Sequence, residues 1–284
     1  MKARYINPFT DFGFKKLFGE EAHKGLLVDF LNALLPPKHR ITNLEYAKNE
    51  AAGETVIDRR AVFDIACTGE NGERFIVELQ KAKQNFFKDR SVFYATFPIR
   101  EQAERGSAWD FELAAVYCIG VLDFVFDEDR DNTDYLHTVQ LKNQHDIVFY
   151  DKLTFVYLEM PKFTKSEAEL TNHTDKWLYV IKHLSSLEHI PASLQERIFE
   201  QAFEAAEIAQ FNPAQQQAYQ DSLKYYRDLN NVIDTAAEEA REEGRKEGER
   251  RKQYEIARNL QRIGLSKNDI LQATGLSLDD IDAL

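Results

Sequence analysis

The chain has 284 residues, 43% of them hydrophobic and 30% charged, with a formal net charge of −12. At roughly 100–200 residues per domain this is one large domain or two, and the balance excludes a disordered chain. The acidic total excludes a protein that coats nucleic acid over its whole surface, and two cysteines exclude a disulfide scaffold or a Cys-rich zinc site.

The elements are expected as follows. Thr10 and Asp11 are capping residues before Phe14, Leu17 and Phe18, so a short helix starts there and stops at Gly19. Leu26, Leu27, Phe30, Leu31, Leu34 and Leu35 form a second amphipathic stripe ended by Pro36 and Pro37. Strands are expected at residues 41–49, 61–68 and 74–80, the last two joined by a turn at Glu70-Asn71-Gly72-Glu73. Residues 86–105 read as a helix with a kink or break at Pro98. Residues 112–126 read as a long strand, apolar on both faces and therefore buried, and residues 136–149 and 153–160 continue the sheet.

From Ser166 the pattern is helical, over 174–189, 193–211 and 213–235. Residues 238–252 are too charged for a core and suit an exposed helix or a linker. Ser266 and Ser277 open two short helices around Gly275, a terminal hairpin. This gives three parts: a core over 1–165, a helical extension over 166–235, and a charged arm with the hairpin over 236–284.

The longest apolar run, Leu113–Leu122, has 10 residues, about half a membrane span. No apolar stretch precedes Pro8, so the N-terminus does not read as a signal peptide. A reduced, cytoplasmic protein with buried Cys67 and Cys118 and no membrane partner is expected. Charge is segregated: residues 80–105 carry a net +3, residues 122–151 a net −6. Such asymmetry marks either a binding face or an ordinary solvated surface.

Chemistry concentrates in Phe63-Asp64-Ile65-Ala66 and Phe75-Ile76-Val77-Glu78-Leu79-Gln80. Alternation places Phe75, Val77 and Leu79 on one strand face and Ile76, Glu78 and Gln80 on the other. A carboxylate among apolar residues must be paired, hydrogen-bonded or bound to metal. A short hairpin brings Asp64 and Glu78 together, and two such carboxylates suit Mg²⁺. The alternative is structural, with Glu78 paired to Lys15 or Arg90. Asp58, beside Arg59 and Arg60, is a second candidate for the first acid. No P-loop, G-x-S-x-G or G-x-G-x-x-G occurs, and the seven histidines lack metal-site spacing.

The chain resembles the PD-(D/E)xK nuclease superfamily, and within it the Rpn-type recombination-promoting nucleases or transposases. The resemblance runs from Asn7-Pro8-Phe9-Thr10-Asp11-Phe12-Gly13-Phe14-Lys15-Lys16-Leu17-Phe18-Gly19 through Asp64, Glu78-Leu79-Gln80, Arg90, Tyr94, Gln102 and Gly106 to Ile270–Ser277. It implies an α/β, restriction-endonuclease-like mixed central sheet flanked by helices, with a helical C-terminal region. It also implies metal-dependent cleavage of DNA linked to recombination or transposition, with Asp64 and Glu78 as ligands of Mg²⁺ or another divalent cation. Gln80 stands where the superfamily has lysine and carries no charge. Alternation points Lys81 to the opposite strand face, leaving Lys15, Lys16 or Lys83 as substitutes. Lys15, Lys16 and Arg90 are the candidate DNA contacts. A module without activity, acting in DNA binding or assembly, is the competing expectation. A homodimer joined through the C-terminal region, including Leu271, Leu276 and Ile281, is expected.

Overall fold

The computed structural model describes residues 3–47, 50–51, 61–103 and 111–284. Asp58, Arg59, Arg60 and Gly106 lie outside the described residues. The chain forms two compact units, Met1–Tyr226 and Arg227–Leu284.

The first unit opens with α1 (Asp11–Phe18) and α2 (Lys24–Leu34). Thr10 caps α1, its hydroxyl accepting from the Gly13 N–H at 3.0 Å. The strands follow: β1 (Leu44–Tyr46), β2 (Glu50–Ala51), β3 (Ala61–Val62), β4 (Ile65–Gly69) and β5 (Arg74–Gln80). The turn between β4 and β5 has Gly72 at φ 87, a left-handed conformation that glycine reaches without strain. Then come α3 (Phe87–Glu101), β6 (Val116–Leu122), β7 (Leu136–Lys142) and β8 (Val148–Glu159). Six strands form one mixed sheet in the order β1-β4-β5-β6-β8-β7, with β5, β6 and β8 parallel and the others antiparallel to their neighbours. β2 and β3 form a separate antiparallel pair.

The sheet is covered on both faces, and alternation sorts its residues. Phe75, Val77, Leu79, Tyr117, Ile119 and Val121 join the main core with α1, α2, α4 (His173–His183) and α5 (Arg197–Ala206). Ile76, Cys118, Leu122 and Tyr157 face the other way, against Phe87, Ala95 and Phe97 of α3. Cys67 and Cys118 are free and buried, and burial pushes both thiols up to about 12.

Several elements differ from expectation. β6 is the fully buried middle of the expected long strand. The expected 61–68 strand is interrupted at Phe63 and Asp64. α3 continues through Pro98, whose carbonyl accepts from the Gln102 side chain at 3.1 Å. Residues 213–235 and 238–252 belong to one helix, α6 (Pro213–Arg262), because exposed charged residues suit a helix surface as well as a linker. In the second unit, α7 (Lys267–Thr274) and α8 (Leu278–Asp282) are capped by Ser266 and Ser277. Ala257, Ile270, Leu276 and Ile281 form its core. No described helix is long and apolar enough to cross a membrane.

Gly13 carries a packing constraint. Asn7 O accepts from the Thr10 N–H at 3.1 Å and from the Thr10 hydroxyl at 2.7 Å. A Cβ on Gly13 would stand 2.1 Å from that oxygen, held in place by the same turn. Gly13→Ala is expected to destabilise the first unit by roughly 2–3 kcal/mol, the cost of forcing volume into a packed site. Chemical denaturation measures it; an unchanged midpoint refutes the constraint.

Candidate active site

The site forms where β4 begins and β5 ends. Ile65 pairs with Val77, so Asp64 stands one step beyond, opposite Glu78. Asp64 Oδ2 accepts from the Leu79 N–H at 2.7 Å. On the other side of β5, Glu78 lies beside Gly120 of β6. A Cβ on Gly120 would meet Tyr157 at 3.1 Å and Leu122 at 3.2 Å, so glycine leaves the space beneath α3 open. A cavity of about 20 Å³ there is lined by Glu78, Phe87, Ser91, Tyr94, Gly120 and Tyr157.

Glu78 is pushed up to about 7, first by burial and then by the charge of Asp64, with Arg90 opposing. Its side chain is 15% exposed, and Oε2 stands 3.6 Å from Arg90 Nη2. Oε1 is buried and has no hydrogen-bond partner. Asp64 is also raised, chiefly by burial; the Leu79 N–H, Lys15 and Lys81 draw it down, and Asp11 pushes it up.

Arg90 is held by α3 above these acids. Its guanidinium donates to Gln80 Oε1 and Gln84 Oε1 and lies over Phe87 at 5.3 Å and Tyr94 at 5.6 Å. Gln80 Nε2 donates to the Ala82 carbonyl at 3.0 Å. Both ends of the Gln80 amide are therefore engaged, the oxygen with Arg90 and the nitrogen with the Ala82 carbonyl. The ion pair expected as the structural alternative is present, with Arg90 as the partner.

The lysines separate. Lys15 pairs with Asp11 at 3.0 Å and acts electrostatically on Asp64. Lys16 turns to Glu20 at 2.8 Å and stands over the Phe211 ring, and Lys83 pairs with Asp127. Lys81 follows the alternation argument: it lies on the α1 side of the sheet with Phe75, Val77 and Leu79, near Asp11 and Lys15. Its ammonium stands 5.4 Å over the Tyr225 ring. Burial lowers its pKa, while Asp11 and Asp64 raise it, so it shares a field with the first acid.

Asp123 is a carboxylate that sequence reasoning left inside the acidic block. Its N–H donates to the Gln80 carbonyl at 2.9 Å, and its side chain accepts from the Tyr226 hydroxyl at 2.8 Å. The signal was its position directly after an apolar strand, at the carboxyl end of parallel strands where α/β sheets place their sites.

Two carboxylates with an unpartnered buried oxygen suit a hard divalent cation. Among the described residues no group of three His, Cys, Asp or Glu is arranged to hold a metal. Asp64 and Glu78 are hard oxygen donors, the kind Mg²⁺ takes one or two of while keeping several waters.

Residues 8–236 match the PD-(D/E)XK nuclease family transposases. The chain belongs to this family, and its mixed sheet with flanking helices is the restriction-endonuclease-like fold. No curated protein and no solved structure matches it.

The raised Glu78 makes stability depend on pH. A carboxyl of folded-state pKa about 7 against an ordinary 4.5 stabilises the fold at low pH. That contribution is lost as pH rises through 7, about 3 kcal/mol in all. Glu78→Gln is expected to flatten this slope and to melt above wild type at pH 8. Identical pH–stability curves for the two proteins would show that Glu78 carries no such burden.

Proposed function

We propose that this chain is a Mg²⁺-dependent endonuclease that hydrolyses phosphodiester bonds of DNA in the cytoplasm, in recombination or transposition. Membership of the nuclease family supports the reaction class. One observation carries the assignment of the site: Asp64 and Glu78 converge with one carboxylate oxygen buried and unpartnered and an arginine 3.6 Å away. A divalent cation held by these two acids supplies charge neutralisation at a phosphodiester and a water of lowered pKa.

The chain's own groups do the remaining work. Glu78 and Asp64 would hold the cation. Arg90, oriented by Gln80 and Gln84, binds a phosphate oxygen in place of its weak contact with Glu78. Gln80 is neutral, so Lys81 provides the cationic charge that the superfamily takes from lysine at that position. Lys15 extends the DNA contact along α1, whereas Lys16, paired with Glu20 and 11% exposed, does not reach it.

Plasmid nicking with Mg²⁺ tests this. Asp64→Ala and Glu78→Ala are expected to abolish nicking while the fold survives. Lys81→Met is expected to slow it about a hundred-fold with Mg²⁺ affinity retained. Nicking retained by both acid variants, in preparations free of contaminating nuclease, refutes the site. A folded wild type that binds DNA and never nicks it favours the binding and assembly role instead.

Cutting both strands with one site per chain takes two chains or two binding events. We propose a homodimer whose contacts include the exposed face of α6, where the small residues Ala236, Ala240, Gly244 and Gly248 recur every four residues. Leu276 and Ile281 are buried within the terminal hairpin's own core and so hold that element together. Light scattering should report a dimer for the full chain and a monomer for a chain ending at Ile233. Equal masses per chain count in both would exclude this arm.

A further inference from the structure

Phe86 sits at the N-cap of α3 with φ 60 and ψ 29, and the residue is 79% exposed. Left-handed backbone is sparsely allowed for a bulky residue, and glycine or asparagine would reach it at less cost. The next residue, Phe87, is 5% exposed and packs against Phe124, Phe126 and Tyr157. The left-handed step sends two consecutive rings in opposite directions, one into the core and one into solvent. Among the described residues, no ring contact or cation pairs with Phe86. Folding gains nothing from this ring where it stands, so strain and exposure here point outward, toward a ligand.

The surroundings say which ligand. The Phe86 carbonyl accepts the Arg90 N–H at 2.9 Å, so Phe86 stands one helical turn before the residue whose guanidinium faces Glu78. Gln84, two residues earlier, holds that guanidinium. Lys83 and Lys88, three residues before and two after Phe86, pair with Asp127 and Glu128, and Lys88 stands 4.4 Å over the Phe126 ring. Both pairs are half exposed, and such surface pairs contribute little and exchange readily for phosphate. A second copy of this chain would bring the same cations to the patch, whereas a nucleic-acid strand brings phosphates for the cations and flat bases for the ring.

We propose that Phe86 is a base-stacking wedge that inserts against a nucleobase beside the phosphodiester held at Asp64 and Glu78. The inference rests on the DNA reading of that site. Apolar side chains inserted between base steps partly unstack them, and stacking on an aromatic ring tolerates any base. The wedge grips the strand next to the bond to be cut without reading its sequence.

The test is a short duplex carrying 2-aminopurine, titrated in Ca²⁺ across a salt series with wild type, Phe86→Ala, Phe86→Gly and Phe86→Trp. Wild-type binding should change the 2-aminopurine emission. Phe86→Ala should abolish that change and weaken binding about ten- to a hundred-fold. The slope against salt should stay unchanged, because no phosphate contact is removed. Phe86→Trp should restore both signals, and Phe86→Gly should lose stacking while melting no lower than wild type.

Equal affinity and emission in Phe86→Ala would overturn the proposal. So would a loss of affinity that lowers the salt slope, a failure of tryptophan to rescue, or a change of oligomeric state with DNA binding intact. A wild type that stacks and binds yet never nicks with Mg²⁺ removes the endonuclease reading and leaves this inference standing. Normal nicking and binding by Phe86→Ala does the reverse, and a wild type that binds no DNA removes both.

Discussion

The Leu79 N–H donates to Asp64 Oδ2 at 2.7 Å, where a regular β4–β5 ladder would have presented the Phe63 carbonyl. Replacing a backbone acceptor with a carboxylate ends the pairing and fixes a charge at the end of the sheet. It also satisfies a donor that would be costly to bury alone. The position of Asp64 then sets the environment of Glu78, whose pKa rises through burial and through that neighbouring charge. Two desolvated carboxylates facing each other are unfavourable in an isolated fold, and the nearby Arg90 guanidinium opposes the rise of Glu78. The strain is local, and a six-stranded sheet packed on both faces tolerates it.

Around this pair the cations divide by packing. Arg90 lies over two rings and is held by two glutamine side chains, so its planar group arrives already oriented. Lys81 stands over Tyr225 in the field of Asp64 and Asp11. Lys83 and Lys88 answer the acidic segment after β6 instead, which joins the two oppositely charged blocks of the sequence to each other. Charge segregation along the chain thus becomes local compensation in the fold.

α3 carries much of this arrangement. It crosses from β5 toward β6, covers the sheet face on which Glu78 lies, and places Arg90 above that acid. Gly120 permits it, since any side chain there would meet Tyr157 and Leu122. The left-handed step at Phe86 starts the helix with one ring anchored beneath it and one left outside.

Local pattern alone determined the α1 cap at Thr10, the limits of β5, the turn at Gly72 and the caps of the terminal hairpin. Each depends on interactions within a few residues, which spacing encodes. The opposition of Asp64 and Glu78 was legible for the same reason, because a short hairpin leaves little freedom of register. Alternation extends to Lys81, whose ammonium stands over Tyr225 on the α1 side of the sheet, opposite to Glu78 and Gln80. The roles of Gln80 as a tether for Arg90 and of Asp127 and Glu128 as partners of Lys83 and Lys88 were not legible. They join residues from separate elements, and those meetings are decided by how the sheet packs. The same holds for Phe86: its sequence neighbours describe an ordinary aromatic pair, and only the backbone turn imposed by docking Phe87 on the sheet put one ring in solvent.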